Sequence, residues 1–184
     1  MLDPFDGVLD CHGEFPIAWE VACVYTDYDC SVANHRNERL LGLLHSLEDV
    51  RKDSYDETYE SNANLARVEA KLDLLLDLVS ELLTTESADL KPCSLRLSSR
   101  GAEWMGESTD LQPSQQVWLS LGLDPKLPRP LKLLAEVVNV FREPGGLRML
   151  LAFKLQSELV TDLLEKAIFR YHRRQIASQK SVNP

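Results

Sequence analysis

The sequence lacks the marks of an exported, membrane-spanning or broadly nucleic-acid-binding chain. Its four cysteines, Cys11, Cys23, Cys30 and Cys93, form no CxxC pair and follow no regular spacing, which excludes a disulfide scaffold as the organising principle. Cys11, His12, Cys23, Cys30 and His35 do lie in one region, yet structural zinc is normally held by ligands in close pairs on turns. These thiols therefore read as small packed side chains, and no metal is expected. The first residues, MLDPFDG, are acidic where a signal peptide is basic. The longest apolar run, LDLLLDLVSELL, is broken by Asp77 and Glu81, so it does not read as a transmembrane helix. With 20 basic against 29 acidic residues and a formal net charge of -9, the chain has no broad basic footprint for nucleic acid or an anionic membrane. We expect a soluble cytoplasmic protein with no nucleic-acid partner and no membrane insertion.

Catalytic signatures are missing as well. There is no GxSxG, no HExxH, no P-loop and no dinucleotide-binding fingerprint, and GGLRM follows a turn instead of opening a phosphate-binding helix. His45 and Glu48 stand one helical turn apart, a spacing commoner in solvated pairs than in catalysis. The basic stretch FRYHRRQ reads as a solvated helix end whose cations complement the helix dipole. Neither an enzymatic activity nor a cofactor is expected.

What the chain does have is enough apolar material, 44% of 184 residues, to bury the core of one ordinary domain with an extension. Residues 1–33 mix acids with aromatic and β-branched residues, and FPIAWEVACVY reads as an extended segment that joins the core. A helical pattern follows over about 34–50, with Leu40, Leu44 and Leu47 in step and Asn34 as a plausible N-cap. After a polar interval, Ser54-x-x-Glu57 has the form of a capping box and opens a second helix over about 55–84. In it Leu65, Val68, Leu72, Leu75, Val79 and Leu82 repeat at spacings of three and four, the a/d seam of a heptad. Leu76, Leu78 and Leu83 widen the stripe beyond what a two-stranded coil covers, so residues 34–85 read as an oligomerisation region in which more than two helices meet.

From residue 91 the period becomes two. Strands are expected at Ser94–Leu97, Ala102–Met105, Val117–Leu123, Lys132–Phe141 and Leu147–Leu155, with turns at DPKLPRP and EPGG. The stretch CSLRLSSRGAEWM alternates, stalls at Ser-Ser-Arg-Gly and alternates again, which is the pattern of two strands around a tight turn ending in Gly101. Hairpins this short protect their edges by curling into a closed barrel, here assigned to residues 91–156. A final amphipathic helix over 157–180 would lay Leu159, Leu163, Ile168 and Tyr171 on one barrel opening. The fold class is α+β: a small antiparallel barrel with long heptad-bearing helices before it and one helix after.

The Ser98-to-Gly101 turn, followed by AEWM, QQVWLSLGL, AEVVNV, a Gly turn, LAFKL and a basic helix, resembles a PilZ domain over about residues 91–180. Upstream, FDGVLDCHGEFPIAWE and RVEAKLDLLLDLVSELL are similar to the atypical PilZ proteins that assemble as tetramers through heptad helices. The resemblance implies a six-stranded barrel, a homotetramer, and a place in cyclic di-GMP-linked processes such as type IV pilus function and motility, with other signalling or pilus-related proteins as partners. Cyclic di-GMP binders of the family carry RxxxR ahead of the barrel and then [DN]xSxxG. Guanidinium forks pair with phosphate, and the Asp or Asn holds guanine. Here Arg96 stands at the Asp or Asn position, Ser98 and Gly101 are kept, and TTESADLKPC contains no arginine. Arg96-x-x-x-Arg100 spells RxxxR only inside the other motif. The expectation is an adaptor that does not bind cyclic di-GMP; the competing readings are a receptor with a displaced site and a structural coiled-coil scaffold.

Overall fold

The computed structural model describes residues 3–49, 68, 70–72, 75, 90–106, 111–124, 127 and 129–182. Six strands close an antiparallel barrel: β1 Asp10–Val21, β2 Lys91–Ser98, β3 Gly101–Gly106, β4 Gln116–Leu121, β5 Leu131–Glu143 and β6 Gly146–Phe153. Around the barrel the order is β1-β2-β3-β6-β5-β4. Helix α1, Asp27–Asp49, lies between β1 and β2 in the chain, and helix α2, Glu158–Val182, follows β6.

Alternation builds the interior, because successive side chains of a strand point to opposite faces. Val117, Leu119 and Leu121 of β4, Leu131, Leu133, Ala135 and Val137 of β5, and Met149 and Leu151 of β6 are all buried in one core. The opposite face of the same strands is used too: Trp118 and Leu134 pack with Cys30 and Ala33 of α1 in a smaller cluster. A register shift between Val137 and Asn139 on β5 marks a bulge, the device by which a strand bends to close a barrel.

The barrel is not confined to residues 91–156. β1 supplies a strand paired with β2 from Asp10↔Ser98 to Ile17↔Lys91 and with β4 from Ile17↔Leu121 to Val21↔Val117. Pro16, which cannot donate to a ladder, sits near the point where β1 passes from one partner to the other. The first helix begins at Asp27, not at Asn34. Thr26 and Asp29 form a reciprocal cap, with the Thr26 amide donating to Asp29 Oδ2 at 2.8 Å and the Asp29 amide to Thr26 Oγ1 at 3.2 Å. The Thr26 bonds also hold the Asp29 carboxyl below its usual range.

Asn34 instead lies inside the helix and ties it to α2: its amide donates to the Leu155 carbonyl at 2.8 Å and its Oδ1 accepts from the Ser157 amide at 3.2 Å. Ser157 caps α2, its Oγ accepting from the Val160 amide at 3.1 Å. With that start, the inward face of α2 is Val160, Leu164 and Ile168, all fully buried, whereas Leu159 points outward at 51% exposure. Tyr171 continues the inward face, stacking against Phe15 with centroids 5.1 Å apart. Gly13 makes room for it, since a Cβ there would run into the Tyr171 hydroxyl.

Removing β1 opens the barrel at two ladders at once. We expect a fragment of residues 91–156 to show no cooperative thermal transition by circular dichroism, because unpaired β2 and β4 edges and a halved core leave too little burial to offset chain entropy. A sharp two-state melt of that fragment would contradict this architecture.

Candidate functional site

The β2–β3 turn is a two-residue connection, Ser99-Arg100, between strands in register at Leu97↔Ala102. Ser98 organises it from beneath. Its buried Oγ accepts from the Arg100 amide at 3.1 Å and the Gly101 amide at 3.0 Å, so a side chain satisfies donors that the tight turn leaves open. The same hydroxyl donates to the Pro4 carbonyl at 2.9 Å. The N-terminal segment therefore lies against the turn. Gly101 leaves no space for a side chain: an added Cβ would strike the Leu151 carbonyl and stand 2.6 Å from Pro4 Cβ.

Arg96, on β2 next to this turn, is also committed within the chain. Its Nε and Nη2 donate to Asp10 Oδ2 at 2.9 and 2.5 Å. Its guanidinium lies 4.2 Å from the centroid of the Phe5 ring, a cation–π stack that Arg makes readily. Phe5 is itself buried, and its amide donates to Asp3 Oδ1 at 2.9 Å. The residues expected to form a degenerate ligand motif, Arg96, Ser98 and Gly101, are thus brought together, but around Pro4, Phe5 and Asp10 of the same chain. Sequence reasoning missed those three. The only local signal was an aromatic residue in an otherwise acidic start, which has no periodicity to read. Arg100 is exposed at the turn.

The expected assembly residues divide in two. Val68, Leu72 and Leu75 are helical and 50%, 54% and 55% exposed, an apolar stripe left uncovered by the single chain. Leu65, Leu76, Val79 and Leu82 lie outside the described residues.

The cysteines are dispersed. Cys11 is in the barrel core, Cys30 on the buried face of α1, Cys93 half-buried and Cys23 exposed. Among the described residues no group of three His, Cys, Asp or Glu is placed to hold a metal ion. Burial, with a smaller contribution from Asp10, pushes the Cys11 thiol up to about 12, and burial raises Cys30 and Cys93 as well. Such thiols are poor nucleophiles at neutral pH. Among the described residues no helix is long and apolar enough to cross a membrane.

Residues 40–181, most of the chain, match the family described as atypical PilZ domain, cyclic di-GMP receptor, and the chain belongs to that family. Its domains are of the cyclic di-GMP-related receptor and adaptor type. A Xanthomonas campestris protein, a tetrameric PilZ domain self-assembled via an unusual helical bundle, is similar over nearly the full length: 28% identity, TM-score 0.71, covering 94% of this chain and 93% of that one. The Bacillus subtilis inhibitor of motility, MotI/DgrA, is similar over a smaller part: 16% identity, TM-score 0.40, covering 46% and 43%. No curated protein matches the chain.

Two outcomes are expected from this geometry. Gly101→Ala should destabilise the fold by about 2–4 kcal/mol, since backbone and Pro4 would both have to move, and Ser98→Ala by about 1–3 kcal/mol for the buried groups it leaves unpaired; denaturant titration measures both. A Gly101→Ala variant as stable as the unaltered chain would show that Pro4 does not pack there. Iodoacetamide at neutral pH should label Cys23 in the native protein and Cys11 only after unfolding, read by mass spectrometry. Because burial holds the folded Cys11 pKa above the ordinary thiol value of 9.0, the contribution of its thiol to stability is complete below about pH 9 and declines as the pH rises toward 12.

Proposed function

We propose that the chain is a non-enzymatic, cytoplasmic PilZ adaptor that assembles as a homotetramer through its heptad helix and does not bind cyclic di-GMP. It acts in cyclic di-GMP-linked processes such as type IV pilus function and motility by contacting other signalling proteins. One observation carries this reading. Pro4 packs against the turn that bears Ser98 and Gly101, Phe5 lies over Arg96, and that guanidinium, at the Asp or Asn position of the motif, is bound to Asp10. A dinucleotide with two phosphates would have to displace that segment, and Asp10 and Glu103 beside Arg96 disfavour an anion.

Assembly rests on the half-exposed Val68, Leu72 and Leu75 and on the helical-bundle tetramer of the Xanthomonas protein. The description of the family as a receptor, together with an exposed Arg100, favours a second reading, a receptor with a displaced site.

Calorimetry separates the two. Titration with cyclic di-GMP should give no saturable heat at micromolar ligand; a micromolar or tighter dissociation constant would overturn the adaptor reading in favour of the displaced site. Light scattering of the unaltered chain at micromolar concentration should give the tetramer mass. Leu72→Asp with Leu75→Asp should dissociate it or unfold it, because charge would be buried in the seam. A monomeric unaltered chain would refute assembly.

A further inference from the structure

The connection from β6 to α2 runs beside the first three turns of α1 and leaves an open groove of about 450 Å³ between them. One wall is a single side of α1, Asp27, Ser31, His35 and Glu38, at the spacing that keeps residues in line on a helix; the other is Leu155 with Ser157. The walls are tied together. Asn34 of α1 donates to the Leu155 carbonyl and accepts from the Ser157 amide, and the Ser157 hydroxyl donates to Glu38 Oε1 at 2.6 Å. The groove is therefore formed before anything enters it, which lowers the entropy lost on binding.

Leu155 is held in an unusual backbone. Its φ is 53°, in the left-handed region that glycine or asparagine takes more easily than leucine does. Folding gains little from the side chain in return, since it is 57% exposed. Strain of this kind gathers at sites that bind something. Tyr28 and Val32, next round α1 from Ser31 and His35, are 75% and 48% exposed and carry the apolar surface on past the groove. Exposed apolar surface with a tyrosine in it is the composition of a protein-binding site.

Charge selects the partner. Asp27 and Glu38 stand at the two ends of the groove, eleven residues and about 16 Å apart along the helix, and the described lining residues include no lysine or arginine. We propose that this groove takes a basic amphipathic helix of a partner protein. The apolar side of that helix, about three turns long, lies on Leu155, Tyr28 and Val32, and its lysines or arginines meet Asp27 and Glu38. This rests on the adaptor reading and gives it a surface.

Fluorescence anisotropy with the full chain at low salt tests it. The probe is a labelled peptide of about 14 leucines and lysines in amphipathic helical order. Its comparisons are the same composition in scrambled order and a leucine–glutamate peptide in the amphipathic order. Saturable binding of the probe, with a dissociation constant below about 100 μM and about tenfold or more tighter than either comparison, is expected. Asp27→Asn combined with Glu38→Gln, and separately Leu155→Asn, should each weaken it by about tenfold. Leu155→Asn should do so without lowering the denaturation midpoint, because asparagine tolerates the backbone that leucine strains. Glu165→Gln, an exposed carboxylate on α2, should leave binding unchanged. No saturation, equal binding of the scrambled peptide, an equal loss in Glu165→Gln, undiminished binding in the groove variants, or a chain unfolded by Leu155→Asn would each overturn the proposal. A cyclic di-GMP heat would instead remove the adaptor reading and leave the groove in place, so the two fail separately.

Discussion

The structure depends on the pairing of β1 with two strands that lie far from it in sequence. β1 holds β2 along one half and β4 along the other, and without it neither the barrel nor its interior closes. That interior is continuous with the helices: Leu40, Leu41 and Leu44 of α1 and Val160, Leu164 and Ile168 of α2 belong to the same core as the strands. Closure therefore joins the first strand, α1 and the C-terminal helix into one cooperative unit. The long loop that must close before this pairing is rewarded makes such a topology intrinsically slow to fold.

The position of the candidate site follows from the same register. Because Asp10 is opposite Ser98, the residues before β1 have to leave the sheet beside the β2–β3 turn, and Pro4 and Phe5 arrive there without needing a motif of their own. Diagonal placement across the β1–β2 ladder sets the Asp10 carboxylate next to Arg96, two residues from Ser98. A partly exposed pair of this kind contributes about 1 kcal/mol or less. The Phe5 stack and the Ser98 hydrogen bond add to it, so the segment is held by several modest contacts and not by one strong one. An Asp or Asn at position 96 would face Asp10 with no cation between them; the arginine suits a turn that its own chain covers.

Much of the barrel was legible from the sequence because half-buried strands advertise themselves by alternation, as Val117, Leu119 and Leu121 do, and because Ser-Ser-Arg-Gly has the chemistry of a tight turn. β1 was legible as extended chain but not as a barrel strand, since its partners lie about seventy or more residues away by register and no local pattern encodes a register. Asn34 misled because Asn suits an N-cap, while the true cap, Thr26 with Asp29, precedes a polar turn with no apolar period. Leu159 misled because one residue of phase separates it from Val160, and the Ser157 cap chose between them. Of the site, the turn residues could be read and the N-terminal segment could not: its three contacts are tertiary, and Pro4, Phe5 and Asp10 acquire meaning only once β1 is paired.

The central claim is that the N-terminal segment occupies the motif turn and keeps cyclic di-GMP from it. Hydrogen–deuterium exchange of the full chain, followed by mass spectrometry with and without saturating cyclic di-GMP, tests it most directly. The account predicts unchanged exchange in peptides covering residues 3–10 and 94–106. Faster exchange over 3–10 together with new protection at Arg100 and Gly101 would contradict it, since that is the signature of a ligand that displaces Pro4 and Phe5 and takes the turn.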